Sequence, residues 1–180
     1  MTQLHRGTTK QPRQHNTITR HQRGFTIVEL LIVIVVIAIL AAISVAAYNG
    51  IQNRAHDTTV QSDVRSSYAK LLEYQAVKGS FPRNVTQLTE ASPTATRSSY
   101  PTAGNNYLLC ISDNAAAVVG RSKSGNWFYS GSNGSGSFDL AVTEPRNVQV
   151  CPLASIPTAS PGYAHFWGYA SSGPWQSWVK

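Results

Sequence analysis

Glu29 is the residue whose position most needs a chemical explanation, because it is a single acid inside a long apolar run. The run extends from Phe25 to Ala47, and Thr26 and Ser44 are its only other polar side chains. A carboxylate inside hydrocarbon is costly, and residues of this kind are by default functional. Glu29 is therefore our first candidate functional residue.

The acids and histidines elsewhere form no catalytic or metal-binding pattern. His5, His15 and His21 share no helix face with one another, and His56 and His165 stand alone in the sequence. A metal site needs several converging ligands, and no serine lies in a nucleophile motif. We expect no enzyme, no cofactor and no metal site. The acids that follow the long helix predicted below are scattered: Glu90, Asp113, Asp139 and Glu144.

Cys110 and Cys151 are the only cysteines. No histidine lies near them in the sequence to complete a zinc site. If this part of the chain is exported, the compartment preserves disulfides. We therefore expect one disulfide, joining two strands.

The positive charge is concentrated at the N-terminus. The formal net charge is +7, and residues 1–24 carry five cations and no acid: Arg6, Lys10, Arg13, Arg20 and Arg23. The remaining residues hold ten Lys and Arg against eight Asp and Glu. This balance argues against a basic nucleic-acid-binding surface. Residues 1–24 contain few large apolar side chains, which predicts a disordered basic arm.

The apolar run is long enough to cross a bilayer. As a helix, its 23 residues span roughly 35 Å. The cations lie before it, so its N-terminal end is expected in the cytoplasm and the following residues outside the membrane. Two other interpretations are a secretory signal peptide cleaved within Ala38–Ala47 and a plain anchor. Neither of them explains Glu29.

The residues around Glu29 resemble the processing site of type IV prepilins and the related pseudopilins. The matching string is Arg23-Gly24-Phe25-Thr26-Ile27-Val28-Glu29-Leu30. The resemblance implies that a prepilin peptidase cuts after Gly24 and N-methylates Phe25. It further implies a subunit that polymerises with itself or with other pilins, through a pilus assembly platform in the cytoplasmic membrane, into an extracellular pilus or envelope fibre.

The same resemblance gives Glu29 a role in assembly. Cleavage would create an ammonium on Phe25, one helical turn from the carboxylate. In a bundle of such helices each buried charge needs a partner, so the ammonium of one subunit would pair with Glu29 of the next. The alternative is that Glu29 reaches the lipid headgroups on its own. Many pilins carry a proline where this chain has Ala46, and the weak point here is instead Asn49-Gly50.

Three functions remain open at this stage. The first is a pilin or minor pilin of a type IV pilus. The second is a pseudopilin of a type II secretion or competence DNA-uptake system. The third is a membrane-tethered surface-binding module whose helix is only an anchor.

The expected fold class is α+β. A long N-terminal helix, transmembrane in its first half, packs by its second half against a small antiparallel β-sheet head. Apolar positions continue every three or four residues after the run, and Gly79 and Pro82 predict the end of the helix near Lys78. We divide the chain into a cleaved leader (1–24), a transmembrane and assembly helix (25–48), an amphipathic half (49–79) and a globular head (80–180).

Within the head, short apolar stretches predict strands. They lie at Tyr107–Ser112, Ala115–Arg121, Trp127–Tyr129, Phe138–Thr143 and Asn147–Val150, with one helical turn near Val85–Glu90. Ser130–Ser137 is expected to be a flexible loop. The aromatic tail from Tyr163 to Trp178 has two interpretations: packing onto the head, or an exposed adhesive surface.

Overall fold

A computed structural model describes residues 24–140, 145–169 and 173–180. The predicted leader lies outside the described residues except for Gly24. The chain divides into two compact units, one ending at Ala42 and the other extending from Ile43 to Lys180. The fold is the expected α+β arrangement.

The first helix, α1, extends from Ile27 to Lys78. Its apolar side chains up to Ile51 are exposed. Many of these residues are β-branched, which does not favour a helix in water. A helix nevertheless pairs every backbone group internally, as a hydrocarbon environment requires. By its length and composition, α1 is long and apolar enough to cross a membrane.

The second half of α1 buries one stripe of side chains against the head. The buried residues follow a spacing of four and three: Val60, Val64, Ser67, Leu71 and Tyr74. The helix ends as predicted, because Gly79 adopts a φ of 80° and its N–H donates to the carbonyl of Gln75 over 2.8 Å. Leu72, the apolar residue next to Leu71, lies outside this stripe and is exposed.

The head contains one antiparallel sheet of five strands. The strands are β1 (Tyr107–Ile111), β2 (Ala116–Arg121), β3 (Trp127–Gly131), β4 (Gly134–Phe138) and β5 (Ala164–Tyr169). Their order is β4-β3-β2-β1-β5, so β4 and β5 form the edges. Two short helices complete the fold, α2 (Val85–Ala91) and α3 (Asn147–Leu153). The strands predicted at β1, β2 and β3 and the helical turn at α2 are confirmed.

Each face of the sheet has its own core. One face packs on α1, where Leu109, Val118 and Phe128 join Val60 and Leu71 in a single buried cluster. The opposite face is covered by α3 and by the chain that follows it, in a cluster formed by Leu108, Cys110, Val119, Trp127, Val150, Cys151 and Ile156. Because both faces are covered, the central strands are buried along nearly their whole length.

The prediction of a flexible loop at Ser130–Ser137 is wrong. These residues form a hairpin of β3 and β4, in which Ser130 lies opposite Ser135 and Tyr129 opposite Gly136. The side chain of Tyr129 lies against Gly136, where an added Cβ would meet the ring at 3.1 Å. The small residues thus allow an aromatic ring to pack across the strand, a role that composition alone does not reveal.

Two further strand predictions need correction. Asn147–Val150 lies in the helix α3, where the side chain of Gln149 accepts the N–H of Arg146 at 2.8 Å and caps the first turn. A helical turn buries Val150 and Cys151 together against the sheet. The strand expected at Phe138–Thr143 is also wrong at its start, because Phe138 ends β4 and residues 139–140 are not in a strand. Residues 141–143 lie outside the described part.

Candidate functional site

The start of α1 is closed by a reciprocal pair of hydrogen bonds between Thr26 and Glu29. The backbone N–H and the hydroxyl of Thr26 donate to Glu29 Oε2 over 2.8 and 2.7 Å. The N–H of Glu29 lies 3.2 Å from Thr26 Oγ1, which accepts it. This is a capping box, which satisfies N–H groups that the first helical turn leaves without partners.

Thr26 is a site residue that our sequence reasoning missed. The signal was present, because a threonine followed three residues later by a glutamate before an apolar run marks a helix start. We had explained Glu29 by its charge alone. The capping box gives the carboxylate a local role and a fixed orientation within one subunit. Both bonds use Oε2, so the second carboxylate oxygen remains able to accept from another donor.

Gly24 and Phe25 precede α1 and have no supporting packing in the described residues. The side chain of Phe25 is 83% exposed. A Cβ added at Gly24 would meet nothing within 4 Å, and no positive φ requires a glycine there. The described part of the fold therefore does not explain why position 24 is a glycine.

Polar side chains flank the buried stripe of α1 and bind it to the head. Asp57 accepts hydrogen bonds from the hydroxyl of Ser124 and, over 2.9 Å, from the amide of Asn126. Both donors belong to the turn between β2 and β3. Further along the helix, Asp63 accepts the N–H and the hydroxyl of Thr96 over 2.7 and 3.0 Å. These bonds fix the position of α1 along the sheet.

The next contact along α1 is inside the core. Ser67 donates to the carbonyl of Thr94 over 2.7 Å and accepts the N–H of the same residue over 2.9 Å. The hydroxyl of Tyr107 also donates to Ser67 over 2.8 Å. Complete burial raises the pKa of the Tyr107 hydroxyl well above its usual range, and burial raises the pKa of Tyr100 in the same core.

Cys110 and Cys151 form a disulfide whose Cα atoms lie 5.6 Å apart. Both residues are fully buried. Cys110 is on β1 as expected, but Cys151 is on the helix α3, so the expectation of a bridge between two strands is wrong in this respect. The bridge instead fastens α3 to the face of the sheet that is opposite α1. It therefore holds the second core closed.

Two of the scattered acids of the head, Asp113 and Glu90, have structural partners. Asp113 pairs with the guanidinium of Arg83, which also donates to the carbonyl of Gly162. Lys78 and Glu90 form a salt bridge of 3.2 Å. Within the residues that the structure describes, no three His, Cys, Asp or Glu side chains come together as metal ligands.

The aromatic tail packs mainly onto the head. Trp178 is buried, and the ring of Trp175 meets Tyr100 edge-on with centroids 5.2 Å apart. The last residue is also held: the N–H of Lys180 donates to Pro93 over 2.8 Å, and its carbonyl accepts from Ala95 over 2.9 Å. The packing interpretation is thus the one that the structure supports for these residues.

The N-terminal segment of the chain matches a known family model. A family model described as a prokaryotic N-terminal methylation motif matches residues 19–45. The type IV major pilin protein PilE1 of Neisseria gonorrhoeae is 36% identical over 72 residues, which cover 40% of this chain and 44% of that protein. A fimbrial protein of Neisseria meningitidis is 34% identical over 79 residues, or 44% of this chain and 46% of that protein.

A third relative comes from a different genus. The type IV wide pilus major component PilA4 of Thermus thermophilus is 38% identical over 65 residues, which cover 36% of this chain and 50% of that protein. The chain spans about half the length, or less, of the curated relatives it matches. The resemblance to type IV prepilins is confirmed by the family model and by these relatives.

Proposed function

We propose that this protein, a relative of type IV prepilins, is a structural subunit of a type IV pilus, as a pilin or minor pilin. The observation that carries the proposal is the methylation-motif match over residues 19–45, which contain both the Gly24-Phe25 junction and Glu29. The similar proteins are named as pilus components. Their names favour a pilus over a pseudopilin system or a simple surface-binding tether.

The first proposed step is processing. A prepilin peptidase removes residues 1–24 and N-methylates Phe25. Support comes from Gly24, whose surroundings among the described residues are open, so its small size serves no packing need there. A residue without a Cβ suits a segment whose backbone must enter a narrow cleft.

The second proposed step is storage in the cytoplasmic membrane. The apolar part of α1 crosses the bilayer with its N-terminal end in the cytoplasm, and the head lies on the exported side. Support comes from the exposed apolar surface of α1 between Ile27 and Ile51. A disulfide such as that of the head persists in an oxidising compartment outside the cytoplasm.

The third proposed step is assembly through Glu29. Cleavage leaves an ammonium on Phe25 at the top of an apolar helix, where a charge requires a partner. Thr26 donates twice to one oxygen of Glu29 and so orients the carboxylate. The other oxygen accepts a hydrogen bond from the Phe25 ammonium of a neighbouring subunit. This ion pair sets the axial position of each new subunit that the assembly platform adds.

Mass spectrometry of sheared surface fibres and of membranes tests this proposal. We expect the fibre fraction to contain this chain beginning at N-methylated Phe25. Gly24→Val should accumulate full-length precursor in the membrane. Gly50→Val is the matched control, because Gly50 also has open surroundings but lies far from the junction, and its processing should be normal.

Two results would contradict the proposal. Normal mature protein from Gly24→Val would refute the role of Gly24 in processing. A chain that keeps residues 1–24 at the cell surface, with none in sheared fibres, would favour the tether interpretation instead.

A further inference from the structure

One end of the head carries a group of cations, and we call this end the base. It is the end where Asp57 of α1 meets Ser124 and Asn126 in the turn between β2 and β3. Lys123 lies in the same turn, and its N–H donates to the carbonyl of Ser99 over 3.0 Å. The position of this turn fixes which other residues belong to the base.

Strand directions and chain spacing place three more cations there. Arg121 ends β2 directly before the turn. Arg54 precedes Asp57 by three residues, so it lies on the same side of α1 and one turn nearer the apolar run. Arg146 follows Pro145, whose carbonyl accepts a hydrogen bond from the residue two positions before β1. Arg54, Lys123 and Arg146 are exposed, and Arg121 is half-buried.

These cations differ from those at the opposite end of the head. There, Lys78 pairs with Glu90 and Arg83 pairs with Asp113. Across residues 24–140, 145–169 and 173–180, none of the four cations of the base makes a salt bridge. The acids described at this end are Asp57, which is engaged by the turn, and Asp139, which follows β4. Among the described residues, the base therefore has an excess of positive charge.

The base also lies close in the chain to the end of the apolar run. Arg54 follows Ala47 by seven residues, which is about 10 Å along a helix. The headgroup region on each side of a bilayer core is roughly 5 to 8 Å thick. Tyr48 directly follows the run and is exposed, and tyrosines are enriched at this membrane boundary.

We propose that the base of the head binds the phosphates of anionic lipid headgroups while the subunit is stored in the membrane. This inference rests on the membrane insertion proposed above. Cations within a Debye length of about 10 Å of an anionic surface are attracted to it. The contact would hold the head against the bilayer before assembly and would have to be released when the subunit enters a fibre.

The test measures the reactivity of individual lysines in the full chain inserted into phosphatidylcholine vesicles that contain or lack phosphatidylglycerol. A membrane-impermeant acylating reagent modifies exposed lysines, and mass spectrometry quantifies each site. Lys78 is the internal reference because it lies at the opposite end of the head. We expect the ratio of Lys123 to Lys78 reactivity to fall about fivefold in anionic vesicles and to recover in high salt.

Two variants sharpen the test. Arg54→Gln should restore part of the reactivity of Lys123 in anionic vesicles. Arg65→Gln removes the same charge from an exposed position on the same helix, about three turns further from the apolar run, and should change nothing. An equal loss of protection in both variants would mean that net charge, rather than the base, is responsible, and would overturn the inference.

The outcomes also separate this inference from the proposed function. A chain that inserts but shows the same ratio in both vesicles refutes lipid binding and leaves the proposed function intact. A chain that fails to insert contradicts the proposed membrane step and the inference with it. If a DNA oligonucleotide protects Lys123 as strongly in neutral vesicles, the base is a nucleic-acid surface and the lipid proposal is wrong.

Discussion

The hydroxyl of Tyr107 donates a hydrogen bond to Ser67 Oγ over 2.8 Å, and this bond joins β1 to α1 inside the core. Ser67 is the one polar residue among the buried side chains of α1, and it also exchanges two hydrogen bonds with the backbone of Thr94. A buried polar group is tolerated only when its hydrogen bonds are made. The pair therefore specifies the position of the helix on the sheet.

Ser67→Ala should destabilise the head by about 1 to 3 kcal/mol, because it leaves the Tyr107 hydroxyl and the Thr94 N–H buried without their partner. Urea unfolding of the mature protein in detergent measures the change. Ser66→Ala is the control, since Ser66 is exposed at the preceding position of the same helix. Equal stability of the two variants would show that the buried network contributes nothing.

Gly120→Ala should destabilise the head by about 1 to 3 kcal/mol. An added Cβ would meet Val60 at 2.8 Å and Val64 and Tyr100 at 3.1 Å, so α1 would have to move away from β2. Gly50→Ala serves as the comparison, because the surroundings of Gly50 are open and alanine favours a helix by about 1 kcal/mol. Thermal unfolding of both variants checks the opposite signs, and a neutral Gly120→Ala would contradict the close packing.

Reduction of the Cys110–Cys151 disulfide should lower the unfolding free energy by about 4 kcal/mol in the chain-entropy model, given its sequence separation of 41. Unfolding curves with and without reductant measure this loss. Before reduction, alkylation in the absence of denaturant should label neither thiol. Free labelling of both thiols would show that the native state lacks the disulfide.

Raising the pH should destabilise the head through Tyr107. Burial raises the pKa of its hydroxyl in the folded state above the unfolded value of about 10. The contribution of the protonated Tyr107 hydroxyl to stability is therefore fully present below about pH 10. It is lost as the pH rises further, because the unfolded state ionises more readily. Tyr107→Phe should show a smaller loss of unfolding free energy between about pH 9 and 11.5 than Tyr68→Phe, in which the altered ring is only partly buried. Equal slopes would contradict this assignment.

The sequence was most informative where the periodicity of apolar residues agreed with the residues that end helices and strands. The end of α1 at Lys78 and the strands at Leu109 and Val118 follow from local patterns. The hairpin at Ser130–Ser137 could not be predicted, because its glycines and serines are typical of loops. The strand forms because β3 offers a pairing edge, and Tyr129 uses the space over Gly136.

The short segment at Asn147 was also ambiguous for a physical reason. Its valines favour a strand, but the structure needs a turn of helix to bring Val150 and Cys151 to the sheet together. Tertiary contacts and the disulfide override the local preference. At the start of α1 the reverse holds: the capping box of Thr26 and Glu29 follows from a local signal, a threonine with a glutamate three residues later.

The prediction that tests function most directly is Glu29→Val. The substitution makes the helix more apolar, so membrane insertion should be at least as efficient as in the parent. If Glu29 has no role in assembly, fibres should form normally in the variant. If its carboxylate accepts the ammonium of a neighbouring Phe25, the variant leaves that ammonium unpaired in every subunit, and fibres should be strongly reduced while the membrane pool stays normal. Thr26→Ala removes hydrogen bonds of the capping box but keeps the carboxylate, so it should reduce fibres less than Glu29→Val does. Parallel immunoblots of sheared fibres and membranes measure both effects, and parental amounts of fibre from Glu29→Val would refute the assembly role.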